Sequence, residues 1–128
     1  MPSTTDPRQT YLQLAADGRI LPRPGGERFW QLPEADMAQV GRDWLVSEYT
    51  FEADWPSWEM HPQADEFVYL LSGAVVLVLE SPGGRQEIAL KDRGAVVVPR
   101  GVWHTARVGT PSRMMHVTLG AGTQIRPA

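Results

Sequence analysis

The chain has 128 residues, 42% of them hydrophobic, which suits one domain with a buried core. Twelve Lys and Arg against fifteen Asp and Glu leave a net charge of −3, and this argues against nucleic acid as the partner, since phosphate backbones call for a clustered basic surface. Cysteine is absent, so disulfides, thiol catalysis and cysteine-held zinc are excluded.

Twelve glycines and eleven prolines punctuate the chain into short segments rich in Val, Leu, Tyr, Phe and Trp. That pattern predicts many short strands joined by turns. Residues 1–43 are the less regular part. Pro2, Pro7, Pro22, Pro24, Gly25 and Gly26 break any long element there. A short strand is expected around Tyr11–Ala15 or Arg28–Gln31, as an edge strand or a clasp onto a neighbour. Leu32–Val40 is the one plausible helical turn, opened by Pro33, Glu34, Ala35 and Asp36.

From residue 44 to 128 the strand pattern is clear. Strands are expected over Trp44–Ala53, Trp58–His61, Glu66–Leu71, Ala74–Glu80, Arg85–Leu90, Ala95–Val98, Trp103–Val108 and Arg113–Leu119. Ser81-Pro82-Gly83-Gly84 reads as a hairpin turn. The tail after Leu119 is Gly-rich and reads as extended. About eight or nine strands with no substantial helix predict an all-β sandwich or small barrel. Neither a membrane-length apolar run nor a signal-peptide pattern is visible, so the expected location is the cytoplasm, with no membrane partner.

The chain has only three histidines, so their places carry information. His61 follows Glu59 by two residues, which puts both on one face of a strand. Glu66 returns on the next strand, and His104 follows the Pro99-Arg100-Gly101 turn. Two imidazoles and two carboxylates in one barrel form a mixed nitrogen and oxygen site. That set suits a divalent ion such as Mn²⁺, Fe²⁺, Ni²⁺ or Zn²⁺. His116 alternates with Met114 and Thr118 on the last predicted strand. Facing inward, it lines a pocket and can orient a ligand or move a proton; facing outward, it is a surface residue. Trp58, Trp103, Tyr69 and Met114 are candidate pocket walls. Trp30, Trp44 and Trp55 read as core or interface, and Arg107 as solvated.

The stretch from Glu59 through His61-Pro62-Gln63-Ala64-Asp65-Glu66 to Gly73 resembles the first cupin motif, His-x-His, a short gap, Glu, six residues, Gly. Pro99-Arg100-Gly101-Val102-Trp103-His104 resembles the second, with its Pro-x-Gly-x-x-His centre. The resemblance covers residues from about 44 to 119 and implies a double-stranded β-helix, the cupin jelly-roll barrel. Three positions depart from the pattern. Glu59 stands where the first metal His is usual, Gly94 lies one residue closer to Pro99, and Val108 replaces a frequent Asn. The implied metal ligands are Glu59, His61, Glu66 and His104, or the last three alone. In the second case Glu59 joins His116 as a candidate catalytic acid or base. Two functions follow from the resemblance. One is a metal-dependent enzyme (oxygenase, isomerase or lyase) acting on a small polar organic molecule. The other is a cupin that binds or senses a small ligand without turnover. Cupins of this size also imply a homodimer.

Overall fold

The computed structural model describes residues 2–128. Its elements in chain order are β1 (Thr10–Leu14), β2 (Ile20–Pro24), a 3₁₀ helix (Gly26–Gln31), α1 (Glu34–Gly41), β3 (Trp44–Phe51), β4 (Ser57–Met60), β5 (Glu66–Ser72), β6 (Ala74–Ser81), β7 (Gly84–Lys91), β8 (Ala95–Val98), β9 (Trp103–Val108), β10 (Ser112–Leu119) and β11 (Gln124–Pro127). The strands form two antiparallel sheets. One has the order β2-β1-β3-β10-β5-β8, the other β11-β4-β9-β6-β7. This is the expected all-β jelly roll.

Period-two alternation decides which side chains enter the barrel. Along β5, Glu66, Val68 and Leu70 are buried while Phe67 and Tyr69 face outward. Along β10 the buried set is Ser112, Met114 and His116. Across the barrel, β6 contributes Val75, Leu77 and Leu79, and β9 contributes His104, Ala106 and Val108. The main core gathers Val68, Leu70, Leu77, Ala106, Val108 and Met114. The glutamate and two of the histidines in those lists lie at one end of the same inward rows.

The N-terminal residues extend this frame. β1 pairs with β3, and β2 pairs with β1, so the six-stranded sheet gains two strands. A second apolar cluster of Tyr11, Phe29 and Val40 lies beneath them, joined by Met37, Leu45 and Tyr49. Arg28–Gln31 forms part of the 3₁₀ helix instead of a strand. The Gly25 amide bonds the Gln9 carbonyl and Gly26 adopts a φ of 64°, so the chain turns sharply and drives Phe29 inward. The C-terminal tail is extended as expected, and it also joins a sheet. Gln124–Pro127 pairs with β4 and closes the edge of the five-stranded sheet.

Three expected pocket walls lie elsewhere. Trp58 and Trp103 alternate with Glu59 and His104, so they point to the outer face. There the Arg126 guanidinium covers both rings, at 5.2 and 4.5 Å from the ring centres. Tyr69 also faces outward, beside Phe67. Met114 is fully buried in the core. Trp55, read as core or interface, is buried beside His104 and His116. Trp30 and Trp44 are exposed, and Arg107 is exposed and pairs with Glu87. No helix among the described residues is long and apolar enough to cross a membrane.

Candidate metal centre

The five-stranded sheet supplies Glu59, His61 and His104. Glu59 and His104 are direct cross-strand neighbours on β4 and β9. His61 follows immediately after β4, and its carbonyl accepts from the Gly101 amide at 2.8 Å. The turn before β9 is thereby tied to the residue that precedes Pro62. The six-stranded sheet supplies Glu66 from β5, with His116 and Thr118 from β10. One donor atom from each of Glu59, His61 and His104 lies within 4.8 Å of the others.

Glu66 is the hub. One oxygen lies 3.2 Å from His104 Nε2. The other lies 3.5 Å from His61 Nε2 and 3.7 Å from His116 Nδ1. All three histidines of the chain therefore converge on one carboxylate. Glu59 approaches His61 Nε2 at 3.8 Å and is one-third exposed, whereas the Glu66 side chain is 4% exposed and that of His104 0%. His116 faces inward, the first of the two orientations open to it.

Two residues that sequence reasoning passed over hold this group in place. The Thr118 hydroxyl donates to Glu66 at 2.5 Å. The Thr123 hydroxyl donates to the Gly120 carbonyl at 2.8 Å, which leaves its oxygen to accept from His61 Nδ1 at 2.7 Å. Thr118 shares the alternation face of His116, so its position was legible. Thr123 lies in a Gly-rich loop that carries no local signal. His104 Nδ1 donates to the Val102 carbonyl at 3.1 Å. Both imidazoles thus spend the Nδ1 proton on a fixed acceptor and keep the Nε2 lone pair free.

These free lone pairs test the fit of a cation. His61 Nε2, His104 Nε2 and one Glu66 oxygen are buried without a hydrogen-bond partner. A buried polar atom left this way is costly unless something else meets it. Donors bound to one ion at about 2.1 Å lie roughly 3.0–3.4 Å apart. The 3.2, 3.5 and 3.8 Å separations come within a few tenths of that range. Glu59, His61 and His104 therefore form a donor set compact enough for a divalent ion, with Glu66 beside the two histidines. Without one, protons take the same role. Burial raises the Glu66 carboxyl, but His104, His116 and His61 outweigh it and hold the group well below the usual carboxylate range. Burial lowers His104, and Glu66 outweighs it, so His104 is raised above the usual imidazole value.

The group opens into a cavity of about 550 Å³. Its polar end consists of Glu59, His61, Glu66, His116, Thr118 and Thr123. Tyr49, Phe51 and Trp55 surround the ring of His116, with ring centres 5.5, 6.2 and 6.0 Å away.

The Cupin domain family matches residues 48–119, more than half of the chain. This protein belongs to the cupin domain family. A cupin-2 domain protein from Shewanella frigidimarina superposes with a TM-score of 0.50 at 20% identity, over 66% of this chain and 71% of that one. Hydroquinone 1,2-dioxygenase from Sphingomonas, solved with 4-hydroxybenzoate bound, gives 0.51 at 17% identity, over 70% and 64%. The cupin domain of Drosophila melanogaster CENP-C gives 0.50 at 10% identity, over 59% and 63%. At these identities the likeness establishes the fold alone, and the cupin fold hosts unrelated activities. No curated protein sequence matches the chain.

Proposed function

We propose that this cupin is a metal-dependent enzyme of the oxygenase, isomerase or lyase type, acting on a small organic molecule. Glu59, His61, Glu66 and His104 hold one divalent ion (Mn²⁺, Fe²⁺, Ni²⁺ or Zn²⁺). Glu59 thereby takes the place of the first histidine of the usual cupin set. The observation that carries this reading is that the Nε2 atoms of His61 and His104 and one Glu66 oxygen are buried side by side and make no hydrogen bond. When bound, the ion supplies Lewis-acid or redox chemistry to a ligand oxygen.

The protein's own groups do the rest. Thr123 and Val102 fix the two imidazole tautomers. Thr118 orients Glu66. His116 contacts Glu66 through Nδ1, while its Nε2 is buried without a partner and serves as the site where a proton is held or released. Glu59 is the most exposed carboxylate of the group, so it is the second proton carrier if it does not ligate. The aromatic rings around His116 exclude water from that exchange.

Elemental analysis of the purified protein tests the site. We expect one equivalent of metal, lost in His61→Ala and in His104→Ala. Loss in Glu59→Ala as well supports four ligands; retention there with lost turnover assigns Glu59 to proton transfer. His116→Asn is expected to keep the metal and lose turnover. Full metal content in both histidine variants would remove this site. The second reading is binding or sensing without turnover. It is favoured by full loading and tight ligand binding with no product from any oxygen or carbon-acid substrate.

The same reading includes a homodimer, with residues 1–43 as an arm on the barrel of residues 44–128. On the outward face of the six-stranded sheet, Leu12, Val46, Val117, Phe67 and Val97 stand in cross-strand register and form an apolar row. Phe67 is 36% and Val97 55% exposed. A flat apolar sheet face can pack on its own twofold copy. Light scattering is expected to give twice the chain mass, and Val97→Lys to give monomer.

A further inference from the structure

The cavity wall carries information that the metal ligands do not. Beyond its polar end, the lining is apolar, and the two wall sections come from different parts of the chain. Tyr49, Phe51 and Trp55 come from β3 and the loop after it, whereas Phe29, Trp30 and Met37 come from the 3₁₀ helix and α1. Trp30 and Ile125, which are 63% and 64% exposed, also line it and give it an apolar approach from solvent. Burial pushes the Tyr49 hydroxyl far up, with Tyr11 adding to the effect, so the ring remains a neutral phenol.

Apart from the histidines and the neutral phenol of Tyr49, the ionisable side chains of the wall are acidic. Asp54, Glu59 and Glu66 line the cavity, and no Lys or Arg does so among the described residues. Asp54 is already engaged, accepting from the Val108 amide at 2.7 Å. An entering anion would lose its water, meet two carboxylates and find no guanidinium or ammonium. With both Glu59 and Glu66 bound, a divalent ion adds no net positive charge at this end, because the two carboxylates cancel its two charges.

We propose that the cavity selects an uncharged, flat, predominantly apolar ligand. Its single hydroxyl or carbonyl oxygen meets the Glu59, His61 and His116 end, and carboxylates and phosphate esters are rejected. The volume of about 550 Å³ lies in the range of small-molecule sites and accommodates one or two fused rings. This narrows the polar ligand implied by sequence to one polar end on an apolar body. The orientation of that oxygen rests on the metal-site reading above, while the selectivity against anions rests on the walls.

Three probes of equal ring size test it: 2-naphthol, 2-naphthoate and 2-naphthyl phosphate. Their binding is followed by quenching of tryptophan fluorescence and by calorimetry, on metal-free and zinc-loaded protein. We expect 2-naphthol to bind both forms at least tenfold more tightly than 2-naphthoate, with no binding of the phosphate ester. Met37→Lys is expected to narrow or reverse the naphthol preference. Trp30→Ala, at an exposed position, is expected to weaken naphthol binding several-fold with the fold retained. Equal or tighter binding of 2-naphthoate to the unmodified protein overturns the proposal, as does failure of 2-naphthol to bind. Zinc stoichiometry measured in the same samples separates the two readings. Anion rejection without stoichiometric zinc removes the metal site and leaves the ligand class standing. Stoichiometric zinc with preference for naphthoate does the opposite.

Discussion

Glu66→Gln is the most informative single change, because it keeps the shape of the hub and removes its charge. Glu66 and His104 are 3.2 Å apart, with side chains 4% and 0% exposed. At an effective dielectric of roughly 20, two unit charges at that distance attract by about 5 kcal/mol. Desolvation offsets part of this. Breaking a buried pair costs about 3 kcal/mol at the low end, fitting here because a glutamine still accepts from Thr118. The loss depends on pH in a defined way. His104 is raised above 6.5, so its contribution to the metal-free protein is complete below that value and fades as pH climbs through the folded value. Glu66 is lowered from 4.5, so its contribution is present above that value and fades as pH falls through the folded value. The pair therefore stabilises most between pH 4.5 and 6.5. Urea unfolding of metal-free protein is expected to show a loss of about 3 kcal/mol near pH 5.5, and this loss shrinks as pH rises through the folded His104 value and the imidazole gives up its charge. Metal affinity of the same variant should fall more than about 100-fold, since even supporting groups are worth 10–100-fold. A loss of stability that stays constant as pH rises, or unchanged metal affinity, would refute the charged hub.

Thr123→Val removes the acceptor for His61 Nδ1, and metal affinity measured by competition with a chelator should drop about 10–100-fold with little change in melting temperature. Gly73→Ala combines a φ of 97° with a Cβ only 2.7 Å from the Pro111 carbonyl oxygen. A loss of about 2–3 kcal/mol in urea unfolding is expected, with far-UV circular dichroism reporting the same fold. Arg126→Ala uncovers Trp58 and Trp103 and breaks the pair with Glu80. About 1 kcal/mol of stability should go, with metal content unchanged, because this cluster is on the opposite face of the sheet from the site.

Local pattern was enough for most of the barrel. Ala95–Val98 and Trp103–Val108 occur with the expected bounds, and the other strands from residue 44 to 119 differ by a few residues at their ends. Their β-branched runs stop at Gly and Pro, and a strand boundary is a local event. The 3₁₀ helix, β2 and β11 were not legible. Ile20–Pro24 contains two prolines and Gln124–Pro127 one, with little alternation, and they become strands because β1 and β4 offer open edges. Trp58 and Trp103 misled for a related reason. Residue type marks an aromatic as buried, but only its phase relative to Glu59 and His104 settles which side of the sheet it covers.

The candidate site divides in the same way. The sequence alone determined that any metal must be held by imidazole and carboxylate, because the chain has no cysteine and three histidines. It also determined, by alternation, that Glu59 shares a face with His61 and Thr118 with His116. Only the tertiary structure decided that His116 enters the barrel and that all three imidazoles meet Glu66. It alone brought Thr123 to His61 across 62 residues, and set Phe29 and Met37 in the wall of the cavity. Alternation fixes which side chains share a face. Which faces meet depends on how two sheets close around a common core, and that is a property of the whole chain.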